Sequence, residues 1–215
     1  MAVSLKIENL GKKFGNHWVL KSVNLNVYPF EKIAILGANG SGKSTLLKIM
    51  TGFFHHEAGL VSWNKDDIIT DHPNFSFSSP YLNLFDHLTV EEHIHFHFKQ
   101  KKSINNLSGT DIVSLGKLND YNHKLIYHLS SGTRQRLKNT LAILTEADVL
   151  FMDEPCSNLD DSNIQHNQAL VSDYTSNRIV IIASNYPPEY DFICSKEFKI
   201  ENKELSLLKN KQLWA

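Results

Sequence analysis

The sequence predicts an α/β protein with a mostly parallel sheet core, an N-terminal antiparallel β region and an inserted helical lobe. Short strand-like apolar runs alternate with helical stretches, which is typical of a parallel sheet. The first residues instead alternate apolar and polar side chains, and residues from roughly 84 to 145 carry no strong strand signal. Because 215 residues suffice for one full core, we expect residues 1–215 to form a single domain.

The N-terminal elements follow from hydrophobic periodicity. Residues 3–9 and 23–28 alternate apolar and polar side chains, which predicts half-buried strands. Residues 32–36 are continuously apolar, as in a strand that is buried on both faces. The same signals predict a glycine-rich turn, then a helix at about 43–50, a strand at 60–63 and a turn at 64–67.

The second half of the chain begins with helical signals. Thr89 and Glu92 have the spacing of a capping box, which predicts a helix start. Leu137, Leu141 and Leu144 are spaced by four and three residues, which predicts a helix after residue 130. The further predicted elements are strands at 148–152 and 179–183, a helix at about 161–175, and a hairpin formed by 196–200 and 203–208.

Composition excludes some classes of partner. The formal net charge is −1, so the basic surplus that binds nucleic acid is missing, and we expect no nucleic-acid partner. Cys156 and Cys194 form neither a metal-type pair nor a disulfide framework, which favours reduced thiols. No secretion leader is apparent, and no apolar run approaches the roughly 20 residues of a membrane span. We expect any work at a membrane to go through another chain.

A phosphate-binding loop is the first chemical motif. Its residues match the pattern G-x-x-x-x-G-K-[ST] and lie between a predicted buried strand and a helix. Glycines let backbone N–H groups approach a phosphate, Lys43 can neutralise its charge, and Ser44 can ligate Mg²⁺. A glycine turn without a ligand is the weaker alternative, because the motif has the required context. The predicted ATP-binding residues are Gly37, Ala38, Asn39, Gly40, Ser41, Gly42, Lys43, Ser44 and Thr45.

Two acids follow the apolar run at 148–152. Asp153, at the strand tip, can hold the hydration shell of Mg²⁺, so the predicted magnesium site is Ser44 with Asp153. Glu154 can polarise the attacking water. Two acids at a strand end are common, and their position downstream of a phosphate loop strengthens the prediction.

A second motif precedes these acids and carries a family resemblance. The segment from Leu129 to Arg136 reads LSSGTRQR and resembles the signature loop of ABC ATPases, although a plain Ser/Gly helix cap is the alternative. The residues that match the signature are Ser130, Ser131, Gly132 and Thr133. The residues that resemble the dimer-contact loop of this family are Ser157, Asn158, Leu159 and Asp160. Phe14 occupies the place of the adenine-stacking aromatic, with Trp18 as a rival and an ordinary strand-end core as the alternative.

The resemblance runs from about residue 3 to 208 and implies a P-loop NTPase of the ABC type that binds ATP and Mg²⁺. It implies two partners: a second ATP-binding subunit, either a copy or a paralogue, and a membrane-spanning transporter subunit. The expected location is the cytoplasmic face of a membrane, and the short chain resembles the haem-export type. A low-activity regulatory ATPase and a non-transport ATPase acting on ribosomes or DNA are the alternatives.

The sequence departs from the family at two polar positions. Ser79 or Pro80 occupies the place of a glutamine that touches Mg²⁺ and the water. Asn185 stands where a histidine contacts the γ-phosphate, and an amide donates a hydrogen bond without positive charge. With Glu154 and Asn185 as the catalytic pair, we expect slow turnover.

Two further features leave alternatives open. The apolar stretch formed by Phe75, Phe77, Tyr81, Leu82, Leu84 and Phe85 is either core or a docking groove for a helix of the membrane subunit. His93 and His97 have the i, i+4 spacing of metal ligands on a helix, but a solvated helix face with packing against Phe96 and Phe98 is the favoured interpretation.

Overall fold

The computed structural model describes residues 3–66, 68–70 and 72–211. It contains an antiparallel sheet in the order β2-β1-β4-β5 and a six-stranded sheet in the order β10-β9-β3-β8-β7-β6. The strands are β1 Val3–Phe14, β2 His17–Val27, β3 Lys32–Leu36, β4 Ala58–Lys65, β5 Ile68–Thr70, β6 Phe75–Ser78, β7 Val149–Asp153, β8 Ile179–Ala183, β9 Lys196–Glu201 and β10 Glu204–Asn210. The α-helices are α1 Lys43–Met50, α2 Val90–Gln100, α3 Gly109–Leu115, α4 Ser131–Leu144 and α5 Asp161–Tyr174.

The six-stranded sheet is the predicted parallel core. β6, β7, β8, β3 and β9 pair in parallel, and only the β9–β10 hairpin is antiparallel. Every residue of β7 and β8 is buried, as expected for continuous apolar strands covered on both faces. Alternate residues serve two cores: Leu150 and Met152 face the helices α2 to α5, whereas Phe151 faces α1 and the antiparallel sheet.

The N-terminal sheet confirms the predicted antiparallel region. β1 pairs with β2 on one side and with β4 on the other. Its buried residues alternate with partly exposed ones, so that Leu5 and Ile7 face the core. The register shifts between Ile7 and Leu10, where Asn9 has a φ of +49°; β1 therefore bends like a strand that carries a bulge.

Side-chain caps define the starts of three helices, and the sequence predicts the one at Thr89. The Thr89 hydroxyl accepts from the Glu92 amide while the Glu92 carboxylate accepts from the Thr89 amide, which completes the capping box of α2. Ser130 caps α4 and Asp160 caps α5 through their side-chain oxygens. Buried Arg178 donates to the carbonyl oxygens of Ile143 and Thr145 and so satisfies the end of α4.

One strand is missing from the prediction, and one predicted turn is wrong. Phe75–Ser78, within the apolar stretch predicted as core or docking groove, forms β6 and pairs with β7. The turn predicted at 64–67 is shorter, because β4 continues to Lys65 and Asp67 lies outside the described residues. In both cases pairing with a neighbouring strand extends a segment whose own pattern is weak. That residues 1–215 form a single domain with a helical lobe inserted at roughly 84–145 stays a prediction.

Two negative findings concern membranes and thiols. Within residues 3–66, 68–70 and 72–211, no helix combines the length and the apolar character of a bilayer span. Cys156 and Cys194 are both free and buried. Burial raises the pKa of the Cys156 thiol to about 12, with the nearby Glu189 carboxyl adding to the rise, and burial also raises the pKa of Cys194.

Candidate functional site

The glycine-rich loop joins the C-terminal end of β3 to the start of α1. The parallel strands β7 and β8 end at the same edge of the sheet. Gly37 has a φ of +152°, and a Cβ there would lie 2.6 Å from Ser41 Oγ and 2.9 Å from the backbone oxygen of Ile200. Residues 38–40 are exposed, so the loop is tight at its base and open to solvent at its crest.

Lys43 is buried within this loop. Its side chain folds back so that Nζ donates to the carbonyl oxygens of Gly37 at 2.7 Å and Ala38 at 3.3 Å. Ser44 follows on the first turn of α1, where it is half-buried. An ammonium group held against a backbone loop at a helix N-terminus is an arrangement that attracts phosphate groups.

The carboxyl group of Asp153 is the most unusual group of the site. The residue is 1% exposed, and neither carboxylate oxygen has a hydrogen-bond partner among the described residues. Burial raises the pKa of this carboxyl group, and the neighbouring Glu154 adds to the rise. The nearby Ser44 hydroxyl opposes the rise although it lies outside hydrogen-bond geometry, and the charge of Lys43 opposes it too. Neither oxygen of this buried carboxyl group therefore receives, from the part of the chain that the structure describes, a hydrogen bond that would offset its removal from water.

Glu154 and Asn185 lie on two neighbouring loops at the same edge. The Glu154 amide donates to the carbonyl oxygen of Ala183 at 2.9 Å, and Glu154 has a φ of +45°. The Gly37 amide donates to Oδ1 of Asn185 at 3.0 Å. Because Asn185 presents its oxygen to this amide, its NH₂ group remains as a donor. The structure therefore brings the predicted loop, acid and amide together.

Phe14 and Trp18 differ in how freely they present a ring. Phe14 is 47% exposed; its edge meets Phe54 with centroids 5.8 Å apart, and the ammonium of Lys12 lies 5.1 Å from its ring centroid. Trp18 is only half-exposed, and the ammonium of Lys13 lies 4.2 Å from its ring centroid. Phe14 is thus the more accessible of the two candidate stacking residues.

The four residues that match the signature do not all face solvent. Ser130 Oγ accepts from the Thr133 amide at 3.2 Å, and the hydroxyl of Thr133 lies 2.9 Å from the same oxygen. Thr133 is buried, whereas Ser131 is exposed and Gly132 is half-buried. Ser131 and Gly132 therefore form the accessible start of α4.

The segment after Glu154 touches the start of α4. A Cβ on Gly132 would lie 2.6 Å from the carbonyl oxygen of Asn158, so only glycine fits this approach without a shift. Asn158 is exposed with a φ of +64°, and Ser157 and Leu159 are half-buried. Asp160 is engaged as the cap of α5. Of the predicted dimer-contact residues, Asn158 is thus the one most open to a partner.

A buried polar network joins α4 to the acidic loop. Its centre is Asn139, which is 1% exposed. The side-chain oxygen of Asn139 accepts from Ser78 Oγ at 2.6 Å and from Gln135 Nε2 at 3.0 Å. Its side-chain nitrogen donates to the carbonyl oxygen of Pro155 at 2.7 Å and to Asn167 Oδ1 at 2.9 Å. The network connects β6, α4 and α5 with the residue that follows Glu154. Sequence reasoning missed Asn139, because nothing in its local pattern marks a partner 61 residues away.

The segment after β6 holds both candidates for the missing glutamine. Ser79 is 3% exposed, and its hydroxyl accepts from the Tyr81 amide at 3.3 Å. The carbonyl oxygen of Pro80 accepts from Lys138 Nζ at 2.6 Å. Through Lys138, α4 therefore binds this segment directly.

Glu189 is a second residue that sequence reasoning missed. It lies in a short 3₁₀ turn after β8 and is 4% exposed. Burial raises its pKa to about 7; hydrogen bonds from Ser184 and the Cys156 amide oppose the rise, while Glu154 and Asp153 add to it. A lone glutamate after two prolines carries no periodic signal that could have revealed this burial.

The apolar stretch predicted as core or docking groove has a half-buried part and an exposed part. Phe75 and Phe77 are half-buried strand residues, whereas Tyr81 is 78%, Leu82 37% and Phe85 47% exposed. A groove of about 510 Å³ between β6 and the helices α2 and α4 is lined by Phe75, Phe77, Leu82 and Phe85, but not by Tyr81. The half-buried part belongs to the core, and the exposed part remains free to contact a partner.

Two histidines of α2, His93 and His97, make contacts within the fold. His97 Nε2 lies 2.8 Å from Thr145 Oγ1, and burial lowers its pKa to about 4, with small contributions from His93 and Lys101. His93 packs against Phe85 with ring centroids 5.6 Å apart. Across the described ranges, no group of three or more His, Cys, Asp or Glu side chains is placed to hold a metal ion.

The chain is similar in sequence to ATP-binding proteins of import systems. The Fe(3+) ions import ATP-binding protein FbpC of Fusobacterium nucleatum is 32% identical over 166 residues, which are 74% of this chain and 45% of that protein. The spermidine/putrescine import ATP-binding protein PotA of Thermotoga maritima is 36% identical over 162 residues, covering 73% of this chain and 44% of that protein. The chain thus spans about half the length of these curated relatives.

Solved structures show the same fold. A dimeric ATP-binding cassette bound to ADP and Pi superposes with a TM-score of 0.81 at 21% identity, over 95% of this chain and 98% of that chain. A bacterial Atm1-family ABC exporter with ATP bound gives 0.82 at 17% identity, over 99% of this chain and 40% of that chain. A family model described as ABC transporter matches residues 20–157, well over half of the sequence. This match shows that the chain belongs to the ABC transporter family.

Proposed function

We propose that this chain binds and hydrolyses Mg²⁺–ATP and powers an ABC transporter through a separate membrane-spanning partner. The observation that supports this most is Asp153: a buried carboxyl group without a hydrogen-bond partner among the described residues, beside a phosphate-type loop that holds Lys43. Membership of the ABC transporter family indicates that the nucleotide is ATP. The curated relatives are import ATP-binding subunits for different cargoes, which supports the transport role and leaves the cargo of this chain open.

The residues of the site fit a magnesium ion. Asp153 and Ser44 would hold it, since oxygen ligands suit Mg²⁺ and the Asp153 carboxylate lacks another partner within the described part of the chain. When bound, Mg²⁺ supplies positive charge against the phosphates. Lys43 binds the β- and γ-phosphates, and Phe14 stacks on the adenine. The remaining phosphate contacts are the backbone and side chains of Gly37, Ala38, Asn39, Gly40, Ser41, Gly42 and Thr45.

Hydrolysis uses the two loops beside this site. Glu154 orients the attacking water and accepts its proton, and the Asn185 NH₂ group donates to the γ-phosphate. An amide carries no positive charge, so its bond to phosphate is weaker than that of a charged histidine. Turnover is therefore slow. The regulatory alternative rests on the same observation, because an ATPase of very low turnover would act by binding nucleotide alone.

A second ATP-binding subunit completes the site. Ser131 and Gly132 form the accessible N-terminus of α4, whose free amides and dipole attract the γ-phosphate held by the other subunit. Ser130 and Thr133 position this helix start, and Asn158 with its neighbours 157–160 contacts the partner. The contact between Gly132 and Asn158 joins both dimer elements within one chain.

The apolar groove is the proposed contact with the membrane subunit. Leu82, Phe85 and Phe96 expose apolar surface around a volume large enough for one face of a short helix. This contact would place the chain at the cytoplasmic face of the membrane. Phe85→Ala should weaken co-purification of a multi-spanning membrane protein with the tagged chain, whereas the exposed control Leu208→Ala should not. Equal recovery with both variants would count against the groove.

Nucleotide binding and turnover test the proposal together. The folded chain should bind Mg²⁺–ATP and release phosphate slowly, and Glu154→Gln should stop release while keeping ATP affinity. Absence of binding at millimolar ATP would overturn the proposal. Binding with no phosphate release above that of Glu154→Gln would favour the regulatory alternative.

A further inference from the structure

The carboxyl group of Glu189 binds both of the loops that follow β7 and β8. Its Oε1 accepts from the backbone amide of Cys156 at 2.6 Å, and its Oε2 accepts from the hydroxyl of Ser184. The side chain is 4% exposed. Both oxygens are therefore used inside the protein, and each one holds a different segment of the chain.

These two segments carry the proposed catalytic groups. Cys156 lies two residues after Glu154, and Ser184 directly precedes Asn185. The Ser184 hydroxyl also accepts from the Tyr186 amide at 2.8 Å, so it fixes the backbone on both sides of Asn185. Moving Glu189 would thus disturb the backbone within two residues of each catalytic side chain.

The loop of Glu154 needs such support. Glu154 has a φ of +45°, a left-handed conformation that is unfavourable for a residue with a side chain. Strained residues of this kind persist where surrounding contacts fix them. The amide of Glu154 is held by the carbonyl oxygen of Ala183 at 2.9 Å, and Glu189 provides a second connection between the same two strand ends.

A buried carboxyl group that connects the two loops lowers the stability of the fold when it ionises. Burial raises the pKa of Glu189 to about 7, with Glu154 and Asp153 adding to the rise, so its ionisation at neutral pH opposes folding. Glu189 in turn adds to the raised pKa of the buried Cys156 thiol. Glu189 therefore contributes to the site through the geometry of its two hydrogen bonds and not through its charge.

We infer that Glu189 is a positioning residue for the hydrolysis proposed above: by binding the Cys156 amide and the Ser184 hydroxyl, it fixes Glu154 relative to Asn185. Glu189 touches neither nucleotide nor magnesium in this role. It acts only through the two loops that its carboxyl group joins.

Steady-state ATP hydrolysis by the full chain with Mg²⁺ tests this role through a pair of variants. Glu189→Gln can still accept from the Cys156 amide and donate to Ser184, whereas Glu189→Ala makes neither bond. We expect Glu189→Ala to lower kcat by about tenfold or more with KM for ATP changed by less than about threefold. Glu189→Gln should retain most of kcat. The exposed Glu204→Ala serves as the matched control.

Ser184→Ala keeps the carboxyl group and removes one bond, so it tests the same role if Glu189→Ala does not fold. We expect it to lower kcat at unchanged KM. Wild-type kcat in folded Glu189→Ala or in Ser184→Ala would overturn the inference, and so would equal loss in the Gln and Ala variants. Absence of turnover in the wild-type chain would instead overturn the proposed hydrolysis, and this inference with it.

Discussion

Replacing Asp153 by asparagine should make the nucleotide-free protein more stable and remove its response to Mg²⁺–ATP. Asp153 is 1% exposed with both oxygens unpaired among the described residues, and burial raises its pKa. A buried group without partners lowers stability by about 1–3 kcal/mol, and a charged one by more. Since the asparagine side chain would carry no charge, we expect Asp153→Asn to raise the free energy of unfolding at pH 7 by about 2 kcal/mol.

The sign follows from proton binding. A carboxyl group whose folded pKa is raised binds its proton more tightly in the native state, so stability falls as pH rises above the unfolded value through the folded value. The stability that wild type gains on acidification through this window should be smaller in Asp153→Asn. At pH 7 the charge is most costly, and the variant should show its largest advantage there.

Urea unfolding with and without Mg²⁺–ATP is the assay, and the exposed Asp173→Asn is the control. Wild type in nucleotide at a hundred times its Kd should gain about 2.7 kcal/mol, and the variant should gain much less. An Asp153→Asn protein that is less stable than wild type without nucleotide would refute the reasoning. An undiminished gain with Mg²⁺–ATP would remove Asp153 from the metal site.

Three further predictions concern neighbouring residues. Asn139→Leu leaves four buried partners unpaired, so the free energy of urea unfolding should fall by about 3 kcal/mol; a change below about 1 kcal/mol would contradict the network. Because the folded pKa of Glu189 is raised to about 7, its contribution to stability should be lost between about pH 4.5 and 7, by at most about 3 kcal/mol, and Glu189→Gln should flatten that part of the stability–pH curve. Asn185→His should raise phosphate release about fivefold through a charge-assisted bond, and an unchanged or lower rate would count against the role of Asn185.

The sequence predicts most of the fold because local signals coincide with the elements. α1 begins at Lys43 and ends at Met50 as predicted, and the capping box at Thr89 is confirmed. The sequence does not predict the strand Phe75–Ser78, because this strand forms by parallel pairing with a distant segment. Phe75 lies opposite Val149, which is 74 residues later in the chain. Short strands are defined more by their neighbours than by their own residues.

The candidate site divides in the same way. The loop at 37–45 is contiguous, so its motif alone predicts which residues meet. Asn139 and Glu189 act through partners that are 61 and 33 residues away in the chain, respectively, and no spacing rule connects such pairs. Thr133 shows a further limit: it matches the motif, but in the fold it is buried, and its hydroxyl lies 2.9 Å from Ser130 Oγ.

Neither native cysteine is accessible to maleimides and similar thiol reagents. Cys156 and Cys194 are buried, and the raised pKa of each keeps it in the unreactive thiol form. A cysteine introduced at an exposed position, such as Asn158, would therefore be labelled selectively in the otherwise unmodified chain. Fluorophores attached there could report subunit closure in real time without first removing any native residue.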